Sequence, residues 1–380
     1  MNKKRLIIVP LLMSFALTSC SGVKDYKEHL DDYVVSMQFH DNFNVVQLTD
    51  IHWSYTTSTM ASKNYLSKLF KQIDAHIKES QGENAKIDLV EVTGDQFMLA
   101  NNYHVNSFIE FFEEQANLYG FKYASIWGNH DRHGLYNPNW LANQFKKAPH
   151  SIYVEEDDNL YGRSNFVINL TTDGEVTSPT KWQLANLDSG ASFSETAVSP
   201  FRDYDYIRAD QVDWWVKEHA KVGEEVPVIA YYHIPQQDNL EAYNKIHVDG
   251  ATYKNKFFKL EGFADNGNAE YASNFIAEGR KHNLKAAFMG HAHNVDWTVD
   301  YEGVTIGLGV KTGPELYYAH IDANDSSEAT KEGLASVGIN ENFDLIGAAL
   351  VTIKDEASFE LEHLYFNERT ANDFVAWVKY

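Results

Sequence analysis

The sequence predicts an α/β protein of two β-sheets packed face to face, with helices on the outside. Two observations carry this expectation. Short apolar runs alternate with stretches of helical periodicity from about residue 45 to residue 290. Further strand-like runs, at 165–170, 182–187, 304–309, 347–353 and 357–363, have no helix between them. One parallel sheet would need a crossover for each strand, so the surplus strands call for a second sheet.

Residues 1–20 read as an export leader, outside the fold. Lys3, Lys4 and Arg5 precede an apolar stretch from Leu6 to Leu17 that is short for a bilayer span. It closes on Leu17-Thr18-Ser19-Cys20, which resembles the lipobox of a bacterial lipoprotein, with Cys20 as the lipidated residue. Cys20 is the single cysteine, so a disulfide within the chain is excluded. Lipidation would hold the protein at the outer face of the bacterial cell membrane. Residues 21–40 carry Asp25, Glu28, Asp31 and Asp32 and are expected to be an acidic tether with one turn of helix. Residues 41–380 are expected to form one domain, because no linker or repeat divides them.

Within that domain, five apolar runs end in groups that ligate metals. Val45 to Leu48 leads into Asp50-Ile51-His52, and Leu89 to Val92 into Gly94-Asp95. Tyr123 to Trp127 leads into Gly128-Asn129-His130-Asp131. Val228 to Tyr232 leads into His233, and Lys285 to Met289 into Gly290-His291-Ala292-His293. Each group is expected on the loop at a strand's carboxyl end, where open α/β sheets collect their functional residues. One such turn alone would be ordinary turn chemistry, and five converging sets indicate a site. Between the runs, Leu66, Leu69, Phe70, Ile73 and Ile77 recur at helical spacing, as do Phe108, Phe111 and Phe112. Val212, Trp215, Val216 and His219 mark a third helix, and Tyr271, Phe275 and Ile276 a fourth. These stripes are expected to face the core.

Composition fits a large soluble core, 44% hydrophobic with 22 Phe and 22 Tyr. Net charge is −22, and three units more negative without the leader's basic residues. That disfavours wrapping long nucleic acid, which basic residues drive. An acidic surface also repels phosphate unless the site supplies cations, and aspartate with neutral histidine suits borderline and hard divalent ions.

The ordered set of five motifs resembles the calcineurin-like metallophosphoesterase superfamily over most of the chain. Leu187-Asp188-Ser189-Gly190, His233-Ile234-Pro235, and Asp296 three residues after the Gly290 motif resemble its purple-acid-phosphatase-like, Dcr2-type branch. The resemblance implies a four-layer αββα sandwich and two divalent ions, of manganese, iron or zinc. Asp50, His52 and His293 would hold the first ion, and Asn129, His233 and His291 the second. Asp95 would bridge them. A hydroxide between the ions would attack phosphorus in line. His130 would protonate the leaving oxygen, with Asp131 holding its imidazole. Purple acid phosphatases carry a tyrosine three residues after the Gly-Asp aspartate, and here that position is Met98, so the ferric-tyrosinate chromophore is not expected.

The function this implies is hydrolysis of a small phosphorylated substrate, foremost a phosphomonoester. A phosphodiesterase acting on nucleotides or phospholipid headgroups is the first alternative. A surface lipoprotein that binds metal or ligand without catalysis is the second, though it would not need the His130-Asp131 pair. His133, His247, His320, Tyr231, Tyr232, Tyr317, Tyr318, Arg132, Arg163, the Asp188 turn and Gln236-Gln237-Asp238 receive no assigned role. For the anchor, Cys20→Ala should abolish incorporation of radioactive fatty acid in cells. Equal label on both proteins would refute the lipid anchor.

Overall fold

The computed structural model describes residues 27–29, 34–54, 59–132, 138–154, 160–191, 204–242, 257–259, 273–314, 316, 320–321, 343–367 and 373–379. The leader with Cys20, together with His133, His247, Tyr317 and Tyr318, lies outside the described residues. In chain order the strands are β1 (Lys27–His29), β2 (Val34–Gln38), β3 (Phe43–Leu48), β4 (Leu89–Thr93), β5 (Lys122–Ile126), β6 (Phe166–Thr171), β7 (Thr180–Asn186) and β8 (Val228–Tyr231). They continue with β9 (Phe257–Lys259), β10 (Leu284–Met289), β11 (Val295–Tyr301), β12 (Val304–Leu308), β13 (His320–Ile321), β14 (Phe343–Ile353), β15 (Phe359–Asn367) and β16 (Asp373–Lys379). The helices are α1 (Thr59–Gln81), α2 (Asn102–Tyr119), α3 (Pro138–Phe145), α4 (Ala209–Val222), α5 (237–242) and α6 (Phe275–Gly279).

One sheet has nine strands in the order β1-β2-β6-β7-β8-β10-β12-β11-β9, and the other runs β16-β15-β14-β3-β4-β5, with β13 on β14. The expected αββα sandwich follows from three apolar layers. Val45, Leu89, Ala124 and Ile126 of one sheet meet Ile168, Leu184, Ile229 and Phe288 of the other. Their chain neighbours point the opposite way, as strand alternation requires. Val46, Val90 and Tyr123 pack under Leu66, Phe70, Phe108 and Phe112 of α1 and α2. Val228, Ala230 and Ala287 pack under Val212, Trp215 and Phe275 of α4 and α6. The predicted stripes are core-facing among the described residues, Tyr271 lying outside them, and Tyr231 and Tyr232 are fully buried core residues.

Two pairs of helices make the crossovers that position the site. β3, β4 and β5 run parallel, joined through α1 and α2. β7, β8 and β10 also run parallel, joined by connections that contain α4 and α6. α2 is capped at both ends: the Asn101 side chain accepts from the His104 N–H, and left-handed Gly120 donates back to Ala116.

The sequence reading needs three corrections here. Residues 27–29 and 34–38 are no tether: as β1 and β2 they extend the nine-stranded sheet, and β2 pairs parallel with β6. Val34, Val35 and Met37 are buried there, an apolar pattern masked by the surrounding acids. The helix before the Gly290 motif is only five residues, followed by a 3-10 turn at Arg280–His282. The strands β1, β2, β9, β11, β13 and β16 and the helices α3 and α5 carry too weak a periodicity to be read individually.

Between the sheets lies one acid that packing alone does not explain. Glu91 on β4 is fully buried, opposite Asn186 of β7 and Tyr231 of β8, and burial pushes its carboxyl up to about 8 from 4.5. Folding therefore favours the protonated acid. Its contribution to stability is full below pH 4.5 and is lost as pH rises towards about 8, at roughly 1.4 kcal/mol per unit. Glu91→Gln should become progressively more stable than the wild type between pH 5 and pH 8. Urea midpoints at the two pH values measure this, and a constant difference would show that Glu91 titrates normally.

Candidate metal centre

All five motif loops lie at the carboxyl ends of parallel strands, three from one sheet and two from the other. The loops are fastened to each other by backbone. Asp50 N–H donates to the Gly94 carbonyl at 3.1 Å, His52 to Asp95 at 2.9 Å and Trp53 to Gln96 at 2.8 Å. Within the nine-stranded sheet, Gly290 N–H donates to the His233 carbonyl at 3.0 Å. Two glycines make this approach possible. A Cβ on Gly94, whose φ is +92°, would overlap the His233 ring, and one on Gly290 would overlap the Thr49 hydroxyl.

The loops gather two clusters that meet at Asp95. Ligand atoms of Asp50, His52 and His293 lie within 4.8 Å of one another, and so do those of Asp95, His233 and His291. In the first, His52 Nε2 and His293 Nε2 are 3.0 Å apart, and Asp50 Oδ1 is 3.3 Å from His293 Nε2. In the second, His233 Nε2 faces Asn129 Oδ1 at 3.2 Å and Asp95 Oδ2 at 3.4 Å. Asp95 Oδ2 is also 3.8 Å from His52 Nε2, so a single oxygen addresses both clusters. The other oxygen, Oδ1, accepts the His130 backbone N–H at 2.8 Å.

These donors fit divalent cations. Asp50 Oδ1 is a buried carboxylate oxygen with no hydrogen-bond partner, while Oδ2 accepts from the Thr49 hydroxyl and the His291 N–H, both at 2.8 Å. His233 Nδ1 must donate to the Thr93 carbonyl, 2.9 Å away, which leaves Nε2 pointing at two oxygens. That arrangement calls for positive charge between them. Burial lowers His52 and His291 to about 3 and also depresses His293, so these imidazoles are neutral, as ligands must be. Burial would lower His233 as well, but Asp95 beside it raises it to about 9. Burial raises the two carboxyls, yet His293 and His52 hold Asp50 far down, and His233 and His130 do the same for Asp95.

His130 is half-buried, its ring perpendicular to that of His52 with centroids 5.0 Å apart. Asp131 differs from expectation. Its oxygens accept backbone N–H groups, of Phe97 at 3.0 Å and Gly128 at 2.8 Å, so the carboxylate ties two site loops together. Burial and the Asp95 charge push Asp131 well above its ordinary value.

The tertiary structure also recruits two residues that no motif marked, Lys311 and Tyr204, and gives the Asp188 turn and Asp296 their contacts. Lys311 is buried, and its Nζ donates to the Asp50 carbonyl at 2.8 Å. Tyr204 stands edge-on to His291 with ring centroids 4.3 Å apart. Asp188, unassigned above, binds Arg132 and accepts the Arg163 N–H at 2.6 Å, while Ser189 accepts the Ile234 N–H at 2.8 Å. The Asp188 turn thus braces the loops bearing His130 and His233. Asp296 of β11 accepts from His363 Nδ1 at 2.9 Å and from the Tyr365 hydroxyl of β15, tying the two sheets. Gln236 is buried and bonded to Ile207 N–H and Ile234 carbonyl, which gives it a packing role.

The Calcineurin-like phosphoesterase family model matches residues 43–295, and the chain belongs to that family of metal-dependent phosphoesterases. Over 218 residues it is 24% identical to Phosphatase DCR2 of Saccharomyces cerevisiae, covering 54% of this chain and 36% of the yeast protein. Over 307 residues it is 24% identical to probable inactive purple acid phosphatase 28 of Arabidopsis thaliana, covering 74% of this chain and 73% of that one. A dimetal phosphatase from Danio rerio has a similar fold, with TM-score 0.50 at 10% identity, over 90% of this chain and 100% of that one. Fold, family and clustered ligands together support two divalent ions.

The shared oxygen makes a stoichiometric prediction. Asp95→Ala should lose nearly all bound metal, whereas His52→Ala should retain about one ion per chain by elemental analysis after desalting. Two ions in Asp95→Ala would exclude a bridging carboxylate.

Proposed function

We propose that this chain is a two-metal phosphomonoesterase held by a lipid on Cys20 at the outer face of a bacterial membrane. The observation that carries the hydrolytic reading is Asp95 Oδ2 facing both histidine clusters while Oδ1 is tied to the loop of His130. In this reading Asp50, His52 and His293 hold one ion and Asn129, His233 and His291 the other. Manganese, iron or zinc suits these ligands, which include no thiolate. When bound, the two ions supply an acidified water and neutralise charge on the phosphoryl oxygens.

The protein's own residues do the rest. Asp95 fixes the backbone of His130, and His52 packs against its ring edge-on, so the imidazole is held beside both clusters. From there it gives its proton to the leaving oxygen. Asp131 keeps the 128–131 turn closed on Phe97 and sets where that histidine sits. No covalent enzyme intermediate is required.

Buried charge favours the monoester. Asp50 and Asp95 carry two negative charges, and Lys311 adds a positive one beside Asp50. With two divalent ions the site holds a surplus of positive charge, which a dianionic monoester offsets better than a monoanionic diester.

A general acid contributes in the transition state, as the leaving oxygen departs. His130→Ala should lower kcat by roughly 10²–10⁴-fold, with metal content unchanged. The loss should be small for p-nitrophenyl phosphate, whose leaving group barely needs a proton, and large for alkyl phosphates. Comparable losses on both substrates, or loss of metal, would make His130 a phosphate holder or a ligand. Higher turnover of bis-p-nitrophenyl phosphate than of p-nitrophenyl phosphate would count against the monoester assignment.

A further inference from the structure

Lys311 is 2% exposed and lies beyond the last of the five motifs, on the segment that follows β12. This segment runs beneath the Asp50 loop and is laced to it. Lys311 forms a parallel bridge with Thr49. Thr312 N–H donates to the Thr49 carbonyl at 2.8 Å, and Thr49 N–H donates to the Thr312 hydroxyl at 3.0 Å. The Asp50 carbonyl accepts twice, from Lys311 Nζ at 2.8 Å and from Gly313 N–H at 3.3 Å. A second Nζ bond reaches the Gly313 carbonyl at 2.7 Å, and Gly347 N–H holds the Lys311 carbonyl at 2.8 Å.

What this clamp grips is a strained backbone. Asp50 has φ +52°, a left-handed conformation that a non-glycine residue keeps only when its surroundings impose it. His52, two residues on, has the same φ of +52°. The direction of the Asp50 side chain, and so the aim of Oδ1 at His52 and His293, depends on that conformation. A compact ammonium with three donors suits the task, because it can bind two carbonyls from within a narrow interior. Its charge carries an opposite effect, since it repels a cation bound next to Asp50.

We propose that Lys311 is a positioning residue for the first metal position, holding the Asp50 carbonyl so that its carboxylate addresses the ion shared with His52 and His293. This rests on the two-ion reading above. Positioning outweighs repulsion, because a misdirected Asp50 forfeits a ligand outright while the ammonium acts only through space. The second position, at Asn129, His233 and His291, meets the clamped residue only through the His291 N–H, which donates to Asp50 Oδ2 at 2.8 Å, so its ligand atoms keep their own supports.

Lys311→Met keeps an unbranched side chain one atom shorter and removes the donors. Metal-free wild type and variant are titrated with manganese(II) by calorimetry, and their electron paramagnetic resonance spectra are recorded at two equivalents. The wild type should bind two ions with the spectrum of a coupled pair. The variant should bind one ion normally and the other at least tenfold more weakly, with the six-line spectrum of an isolated ion. Metal-free melting should be close to that of the wild type, which a general loss of structure would not allow. Should Lys311→Met fail to fold, Thr312→Val removes the hydroxyl under Thr49 and should weaken the same ion. Two ions of unchanged or greater affinity in the variant that folds would overturn the positioning role and leave the two-ion reading intact. A wild type that binds fewer than two ions would overturn that reading itself.

Discussion

A carboxylate excluded from water needs positive charge or donors around it, and Asp95 is excluded from water. One of its oxygens is satisfied by a backbone N–H, while the other lies between imidazoles from opposite sheets. No single sheet could surround it in this way. Loops from β3, β4 and β5 must meet loops from β8 and β10 over the edge of the inter-sheet core, and the packing of the sandwich sets that distance. The site is thus a consequence of how two sheets stack, and its geometry is as rigid as their shared core.

Strain concentrates where the ligands are. Asp50, His52, Asp95 and His291 all have positive φ, at 52°, 52°, 52° and 76°. Such conformations cost on the order of 1–3 kcal/mol each and persist when neighbours dictate them. The neighbours are identifiable: the backbone bonds joining the Asp50 and Asp95 loops, the Lys311 segment below Asp50, and Asp131 between Phe97 and Gly128. The seams between the sheets are also polar near the site. Gln47 of β3 donates to Thr93 on its own sheet at 3.0 Å and reaches the Met289 carbonyl on the other at 3.3 Å. Asp296 with His363 and Tyr365 makes a second tie. These contacts fix direction where apolar packing would fix only distance.

The acidic exterior and the cation-seeking interior are complementary. A net charge of −22 gives the surface no general affinity for phosphate, so the attraction must come from within the pocket. The buried groups are arranged for that: His52, His291 and His293 held neutral, two ionised aspartates, and the Lys311 ammonium beside one of them.

Apolar period and turn chemistry are local properties, so the parallel strands β3, β4, β5, β8 and β10, the helical stripes and the ligand types were legible in the chain before any fold was known. The sequence also placed Asp50, His52, Asp95, Asn129, His130, His233, His291 and His293 at strand ends, and the family followed from their order. Tertiary structure alone decided what each of them faces. Asp131 lies next to His130 in the chain, yet its oxygens bind the backbone of Phe97 and Gly128. β2, hidden among acids, joined the sheet because β6 offered an unpaired edge. Lys311 and Tyr204 reach the site through contacts that span many residues of chain, and such contacts leave no periodic trace in a single sequence.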